Sequence, residues 1–288
     1  MANLPNDDTV QFFINKDVIP DKSITQNDWQ DWRELTQARI AIGRVGAALP
    51  THEVLNFGLA HAQACDAIHT PLNIDLLSEQ LKKNNWQVEH IHSKAANREI
   101  YLRRPDLGRQ LSIECKDAFP SNQTSKNSLS AEYDLVFMVG DGLSSLAVQT
   151  QVVPLLEALK NFLNPKLLIA PVFIAQQARV ALGDAVGELT NAKMVIVLIG
   201  ERPGLSAADS LGVYMTYAPK IGKKDAERNC ISNIRPGGLS SQAAAFKLNW
   251  LIEQAFERQL TGVDLKDESD SLLKINSGST QTIISIDN

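Results

Sequence analysis

The second half of the chain alternates strongly apolar runs with segments whose apolar residues recur at helical spacing. The apolar runs occupy residues 133–139, 167–175, 194–199 and 213–218. One helical face between the first two runs carries Val148, Val152, Leu155 and Leu159. Continuous apolar strands that alternate with helices indicate a parallel sheet covered on both faces. We therefore expect an α/β protein whose C-terminal domain, over residues 126–262, is Rossmann-like.

The same half closes with a further helical stripe over about residues 239–260. Gly262 follows it, where a left-handed residue often ends a helix. Residues 263–288 are polar, and we expect them to form a mobile tail.

The preceding section, residues 31–125, has a different pattern. Alanine-rich residues 54–69 and then residues 73–84 carry helical spacing. Apolar positions then alternate in three short segments, which contain Trp86, Val88 and His90, then Ile100 and Leu102, then Leu111, Ile113 and Cys115. Turn residues at 105–108 separate the last two segments. We therefore predict a helical and antiparallel-hairpin section, in which the hairpin has one solvated face.

One polar stretch precedes these two sections, and another lies at the junction between them. Residues 1–30 contain Pro5, Pro20 and several aspartates, which is typical of a flexible arm, although the apolar run at 10–14 is long enough to dock elsewhere. Residues 117–130 are rich in serine and asparagine and indicate a linker.

Composition narrows the function classes. The 288 residues are 44% hydrophobic and 21% charged, as in ordinary globular proteins. No run approaches the roughly 20 apolar residues of a membrane helix, and no signal-peptide pattern opens the chain. The net charge of −5 without a basic cluster argues against a nucleic-acid partner. Three scattered cysteines argue against a disulfide framework, so we expect a cytoplasmic protein.

Three polar loops follow the apolar runs and are candidates for a ligand site: residues 140–145, 176–180 and 200–205. Ligands of doubly wound sheets bind beyond the carboxyl ends of the strands, where these loops meet. The first loop reads GDGLSS and resembles part of a dinucleotide fingerprint, but the third glycine and the ribose-binding acid are missing. A tight turn without a ligand remains open, as does a surface ion pair for Glu201.

Catalytic groups are not evident from the residues alone. Cys230 lies in a polar segment that predicts a loop, and a lone cysteine is more often a small buried apolar residue than a nucleophile. All five histidines lie in the first third of the chain, and the spacings of His52, His61 and His69 do not converge on one metal ion. The residues therefore indicate a ligand-binding α/β protein, with no catalytic or metal-ligating residue assigned.

A resemblance to a known family adds to this interpretation. Residues 36–69 read TQARIAIGRVGAALPTHEVLNFGLAHAQACDAIH, and GDGLS, RVA, IGERPGL, DSLG and NCISN follow at 140, 179, 199, 209 and 229. In this order and over about residues 36–260, they resemble the small subunit of the ethanolamine ammonia-lyases.

The resemblance implies a specific function. The family's enzyme uses adenosylcobalamin to convert ethanolamine to acetaldehyde and ammonia by radical chemistry. The large barrel subunit houses the chemistry, and the small subunit closes over the cofactor. The cobalamin contacts fall on Val180, Glu201 and Cys230, with Arg179 as a weaker candidate.

It further implies that the cobalt keeps the cofactor's own dimethylbenzimidazole, because no axial-histidine signature is present. We expect the isolated chain to be inactive and the complex to lie in the cytoplasm or a bacterial microcompartment. The alternative is a free-standing α/β oxidoreductase that uses a nucleotide cofactor.

Overall fold

The computed structural model describes residues 24–25, 27–118 and 133–270. They divide into two compact units, and the boundary along the chain falls between Leu59 and Ala60, inside helix α1 (Thr51–His69). The first unit also contains a 3-10 helix over Gln30–Leu35. Most of the predicted arm, most of the linker and the end of the predicted tail lie outside the described residues.

A six-stranded sheet organises the second unit, with the strand order β1-β3-β2-β4-β5-β6. The strands are β1 (Val88–His92), β2 (Leu135–Gly140), β3 (Val172–Gln176), β4 (Met194–Gly200), β5 (Leu211–Tyr217) and β6 (Asn229–Ile234). Strands β1 to β4 are parallel, whereas β5 runs antiparallel to both of its neighbours. The α/β class and the parallel arrangement of β2, β3 and β4 are confirmed, but the sheet as a whole is mixed.

Six further α-helices accompany the described strands: α2 (Ile74–Lys83), α3 (Arg98–Arg103), α4 (Ile113–Ala118), α5 (Ser145–Lys160), α6 (Leu182–Thr190) and α7 (Ser241–Arg258). Several begin at a side chain that accepts a backbone N–H, as Asn73, Ser144 and Ser240 do. Helix α7 ends on Gln259, whose φ is +56°, so the prediction of Gly262 as its cap is wrong.

The predicted antiparallel hairpin is also wrong. Only β1 forms there, and it pairs in parallel with β3 at the edge of the main sheet. Asn97 accepts the N–H of Ile100 at 3.0 Å and starts helix α3, while residues 113–118 form helix α4. Alternation over two or three apolar positions fits a short helix as well as a strand, and the cap at Asn97 favours a helix over residues 98–103.

The core lies on both faces of the sheet, as predicted. Helices α5 and α7 pack on one face, and α6 packs on the other. Gly183 of α6 lies so close to β4 that a Cβ would be 2.4 Å from Val197 Cγ2. The start of the predicted tail contributes to this core, because Leu265 is buried with residues of α7. Within the described ranges, no helix has the length and apolar character needed to cross a membrane.

Candidate functional site

The loops after β2, β3 and β4 meet at the carboxyl edge of the sheet, as the sequence predicted. They enclose an open cleft of about 140 Å³. Arg179, Val180 and Glu201 line it, together with Tyr101 and Tyr214. Three of the four predicted contact residues are therefore brought together.

Gly142, in the loop after β2, and Gly200, at the end of β4, allow the backbones of these two segments to pack closely. Gly142 has φ of +59°, and a Cβ there would lie 2.2 Å from the carbonyl oxygen of Gly200. A Cβ on Gly200 would in turn lie 2.0 Å from the carbonyl oxygen of Ser144. Because backbone already fills the space beside both glycines, this turn does not offer the open approach that a dinucleotide pyrophosphate uses.

Asp141 fixes the loop after β3. Its carboxylate accepts the backbone N–H groups of Gln177 and Ala178, both at 2.9 Å. The side chain is almost fully buried, and this burial raises the pKa of Asp141, although the two hydrogen bonds oppose the rise. Asp141 therefore sets the path of the chain just before Arg179 and Val180.

A buried tyrosine supports the guanidinium groups beside the cleft. Tyr101 is fully buried, its hydroxyl donates to the carbonyl of Ala178 at 3.0 Å, and burial raises its pKa to about 12. Arg179 stacks on its ring at 4.3 Å and Arg98 at 4.8 Å. The Nε atom of Arg179 is buried without a hydrogen-bond partner among the described residues.

Glu201 follows β4 and is held by hydrogen bonds from Ser210, just before β5, and from Asn233 of β6. Its Oε2 accepts the hydroxyl of Ser210 at 2.5 Å and the N–H of Asn233 at 3.2 Å. Its side chain also lies over Gly212, where a Cβ would be 3.0 Å from Oε1. These contacts hold the carboxylate of Glu201 in place beside the cleft that the residue lines.

Cys230 is not in a loop, which corrects the prediction. It lies within edge strand β6, opposite Tyr214 of β5. The residue is exposed, yet partial burial of its sulfur, as the main cause, and the charge of Glu201 raise the pKa of the thiol. Cys230 is not among the described residues that line the cleft, and a raised pKa does not favour a nucleophilic role.

Sequence reasoning missed Tyr101, Tyr214 and Arg98. Tyr101 was passed over because the alternating pattern assigned Ile100 and Leu102 to the buried side. Asn97 was the available signal, since an asparagine cap places Tyr101 in a helix. No sequence signal indicated that Arg98 would donate to the carbonyl of Gly142, which it does at 2.7 Å.

The cleft holds charged and polar contacts but no arrangement of a nucleophile with a base. None of the described residues that line it is a histidine. In the described part of the chain, no three His, Cys, Asp or Glu side chains are grouped to hold a metal ion. The fold and the cleft thus define an α/β protein with a polar cleft at the carboxyl edge of its sheet.

Comparison with known proteins gives the particular family. The family model described as "Ethanolamine ammonia-lyase light chain (EutC)" matches residues 26–266. The chain belongs to this family, which confirms the resemblance found in the sequence.

Relatives named "Ethanolamine ammonia-lyase small subunit" match over most of their length. The protein from Azotobacter vinelandii is 48% identical over 85% of this chain and 90% of its own. That from Pseudomonas fluorescens strain Pf0-1 is 50% identical over 85% and 88%. That from Pseudomonas aeruginosa strain UCBPP-PA14 is 46% identical over 89% and 93%.

Proposed function

We propose that this chain is the small subunit of an ethanolamine ammonia-lyase that holds adenosylcobalamin together with a large subunit. The complex converts ethanolamine to acetaldehyde and ammonia. The observation that carries the proposal is the convergence of Val180, Glu201 and Arg179 on one cleft. These residues come from two loops, after β3 and after β4, and the family resemblance names them as cofactor contacts.

The polar groups of the cleft fit the periphery of a cobalamin. Corrin side chains end in carboxamides, which both donate and accept hydrogen bonds, and the nucleotide portion carries a phosphate. Glu201 offers a carboxylate acceptor, and the guanidinium of Arg179, which lines the cleft, offers N–H donors. We propose no cobalt ligand from this chain, whose described lining residues would contact only the periphery of the cofactor.

The size of the cleft supports a shared site. Its volume of about 140 Å³ is well below the roughly 300–1,000 Å³ of pockets that enclose a drug-sized ligand. This chain can therefore contact one side of a cobalamin but cannot surround it. A large subunit that covers the opposite side completes the site and excludes water.

The residues of this chain bind and orient, while the bound cofactor supplies the radical chemistry. Glu201 accepts a hydrogen bond, Arg179 donates one and stacks on Tyr101, and Val180 and Cys230 pack against the ligand. No proton transfer is assigned to these groups, so the isolated chain should be inactive.

Helix α1 supports the existence of a protein partner. Its first half exposes four large apolar side chains, Val54, Leu55, Phe57 and Leu59, each about half exposed or more. Clustered apolar exposure of this kind marks interaction surfaces. We propose that α1 contacts the large subunit, and we expect the isolated chain to aggregate in gel filtration. A monodisperse chain with no affinity for a large subunit would contradict this assignment.

Reconstitution tests the whole proposal. The chain is co-expressed with a large subunit of the family, adenosylcobalamin is added, and unbound cofactor is removed by gel filtration. Retained corrinoid absorbance and acetaldehyde formation from ethanolamine, both absent without this chain, are the expected results. Binding of a nicotinamide dinucleotide, with no corrinoid retained, would favour the oxidoreductase alternative. Cell fractionation of the native host separates a free cytoplasmic complex from one enclosed in a microcompartment.

A further inference from the structure

A fully buried ion pair lies behind the cleft, outside the predicted site. Arg228 Nη1 and Nη2 donate to the two carboxylate oxygens of Asp184, both at 2.7 Å. The side chains are 2% and 1% exposed. Arg228 also donates to Thr216 Oγ1 and to the carbonyl of Lys223, each at 2.9 Å.

The two partners belong to the segments that carry two predicted cofactor contacts. Asp184 lies in the first turn of α6, four residues after Val180, and the N–H of Gly183 donates to the carbonyl of Val180 at 3.0 Å. Arg228 is extended and precedes Cys230 by two residues. Side chains two residues apart in extended chain point to the same side, so Arg228 and Cys230 face the same way. Val180 lies in the turn that leads into α6, and its carbonyl anchors the first turn that carries Asp184.

The ion pair therefore lies two residues beyond the Tyr214–Cys230 pair, later along β5 and earlier along the segment of β6, and on the same face. Tyr214 of β5 is paired with Cys230, and Tyr214 lines the cleft with Val180. Thr216, two residues further along β5, contacts Arg228. The ion pair links the start of α6 to the start of β6, next to the place where the two segments approach the cleft.

We infer that the Asp184–Arg228 pair is a positioning device that sets the separation of Val180 and Cys230 for cobalamin. The inference rests on the proposed function. A bidentate guanidinium–carboxylate pair fixes direction as well as distance. Buried ion pairs add little stability compared with well-packed apolar residues, whereas they can specify one arrangement. The Asp184–Arg228 pair joins the segment that carries Val180 to the segment that carries Cys230, and cofactor binding requires one fixed arrangement of these two segments.

The test compares Arg228→Lys with Ile252→Val in the complex with the large subunit. The lysine keeps the charge but loses the two-pronged contact. Ile252 is buried in α7, which packs on the opposite face of the sheet, and its truncation serves as the stability control. If Ile252→Val lowers the melting temperature less than Arg228→Lys does, Ile252→Ala replaces it as the matched control.

Two readouts separate positioning from general destabilisation. Arg228→Lys should raise the half-saturating adenosylcobalamin concentration about five- to tenfold with kcat at saturation within about twofold, as expected when an interaction serves binding alone. In the cofactor-free complex, amide hydrogen exchange should increase in residues 177–184 and 228–234. The matched control should change neither quantity, and its exchange should increase around α7 instead.

The inference is overturned if Arg228→Lys and the matched control shift half-saturation equally, or if neither shifts it. It is also overturned if exchange in residues 177–184 is unchanged. These failures leave the proposed function intact as long as the wild-type complex retains corrinoid. Loss of corrinoid retention in the wild-type complex instead removes the proposed function and, with it, this inference.

Discussion

Replacement of Glu201 by glutamine tests the cofactor contact with little disturbance of the fold. The amide oxygen of glutamine can still accept the Ser210 hydroxyl and the Asn233 N–H, which Oε2 now accepts at 2.5 and 3.2 Å. What is lost is the negative charge and the second acceptor, Oε1. One charge-assisted hydrogen bond to the ligand should then weaken by about 1 to 1.5 kcal/mol, equal to about five- to twelvefold in affinity.

The assay is turnover of ethanolamine as a function of adenosylcobalamin concentration in the reconstituted complex. Glu201→Gln should raise the half-saturating concentration and leave turnover at saturation within about twofold. Glu253→Gln removes the same charge from the exposed side of α7 and should leave both quantities unchanged. Wild-type half-saturation in Glu201→Gln would refute the contact, and loss of turnover at saturation would show that Glu201 takes part in the chemistry.

Three further predictions concern single side chains. Cys230→Ser should lower cofactor affinity by no more than about threefold, since only a packing atom changes. Because the pKa of the native Cys230 thiol is raised, this thiol should react with iodoacetamide at pH 8 more slowly than free cysteine, as mass spectrometry would show. Gly142→Ala should lower the free energy of unfolding by about 2 kcal/mol more than Gly46→Ala, because the two share nearly the same φ but only Gly142 faces a backbone oxygen; equal losses would show that the loops can separate. Burial raises the pKa of Asp134, but its hydrogen bonds from Leu168 N–H and Lys193 outweigh this and leave the pKa lowered. The resulting stability is present above about pH 4, the usual pKa range of aspartate, and is lost as the pH falls through the folded-state value. Asp134→Asn should therefore lower the free energy of unfolding at pH 7 by about 1 kcal/mol and flatten its decline below pH 4, and an unchanged acid profile would contradict this.

The parts of the fold that could be predicted are those in which local and long-range preferences agree. All six residues of β2 are buried, so an unbroken apolar run was sufficient to identify a central strand. Asn73 and Asn84 flank α2 as its caps, and the predicted limits of that helix needed little revision. Strand direction was harder, because an apolar run such as β5 gives no sign of whether its neighbour is parallel or antiparallel.

Strand β6 shows why part of the site could not be predicted. Only Ile231 and Ile234 are buried among its residues, and its pairing with β5 is irregular between Leu211 and Val213. An edge strand with a polar face and a shifted register carries no regular alternation, so its sequence is typical of a loop. The residue identity of Cys230 came from the family resemblance, whereas its place opposite Tyr214 required the structure.

The contact between Gly142 and Gly200 limits how the cleft can change by mutation. A Cβ on either residue meets a backbone oxygen, of Gly200 in one case and of Ser144 in the other. Gly187 differs, because a Cβ there would meet the side chain of Pro219, at 2.2 Å, and a smaller residue at 219 would relieve the clash. Backbone oxygens cannot be substituted away. A second substitution therefore cannot make room for a side chain at position 142 or 200 unless the two loops move apart. Such a movement would displace Gly200 and, with it, the adjacent Glu201.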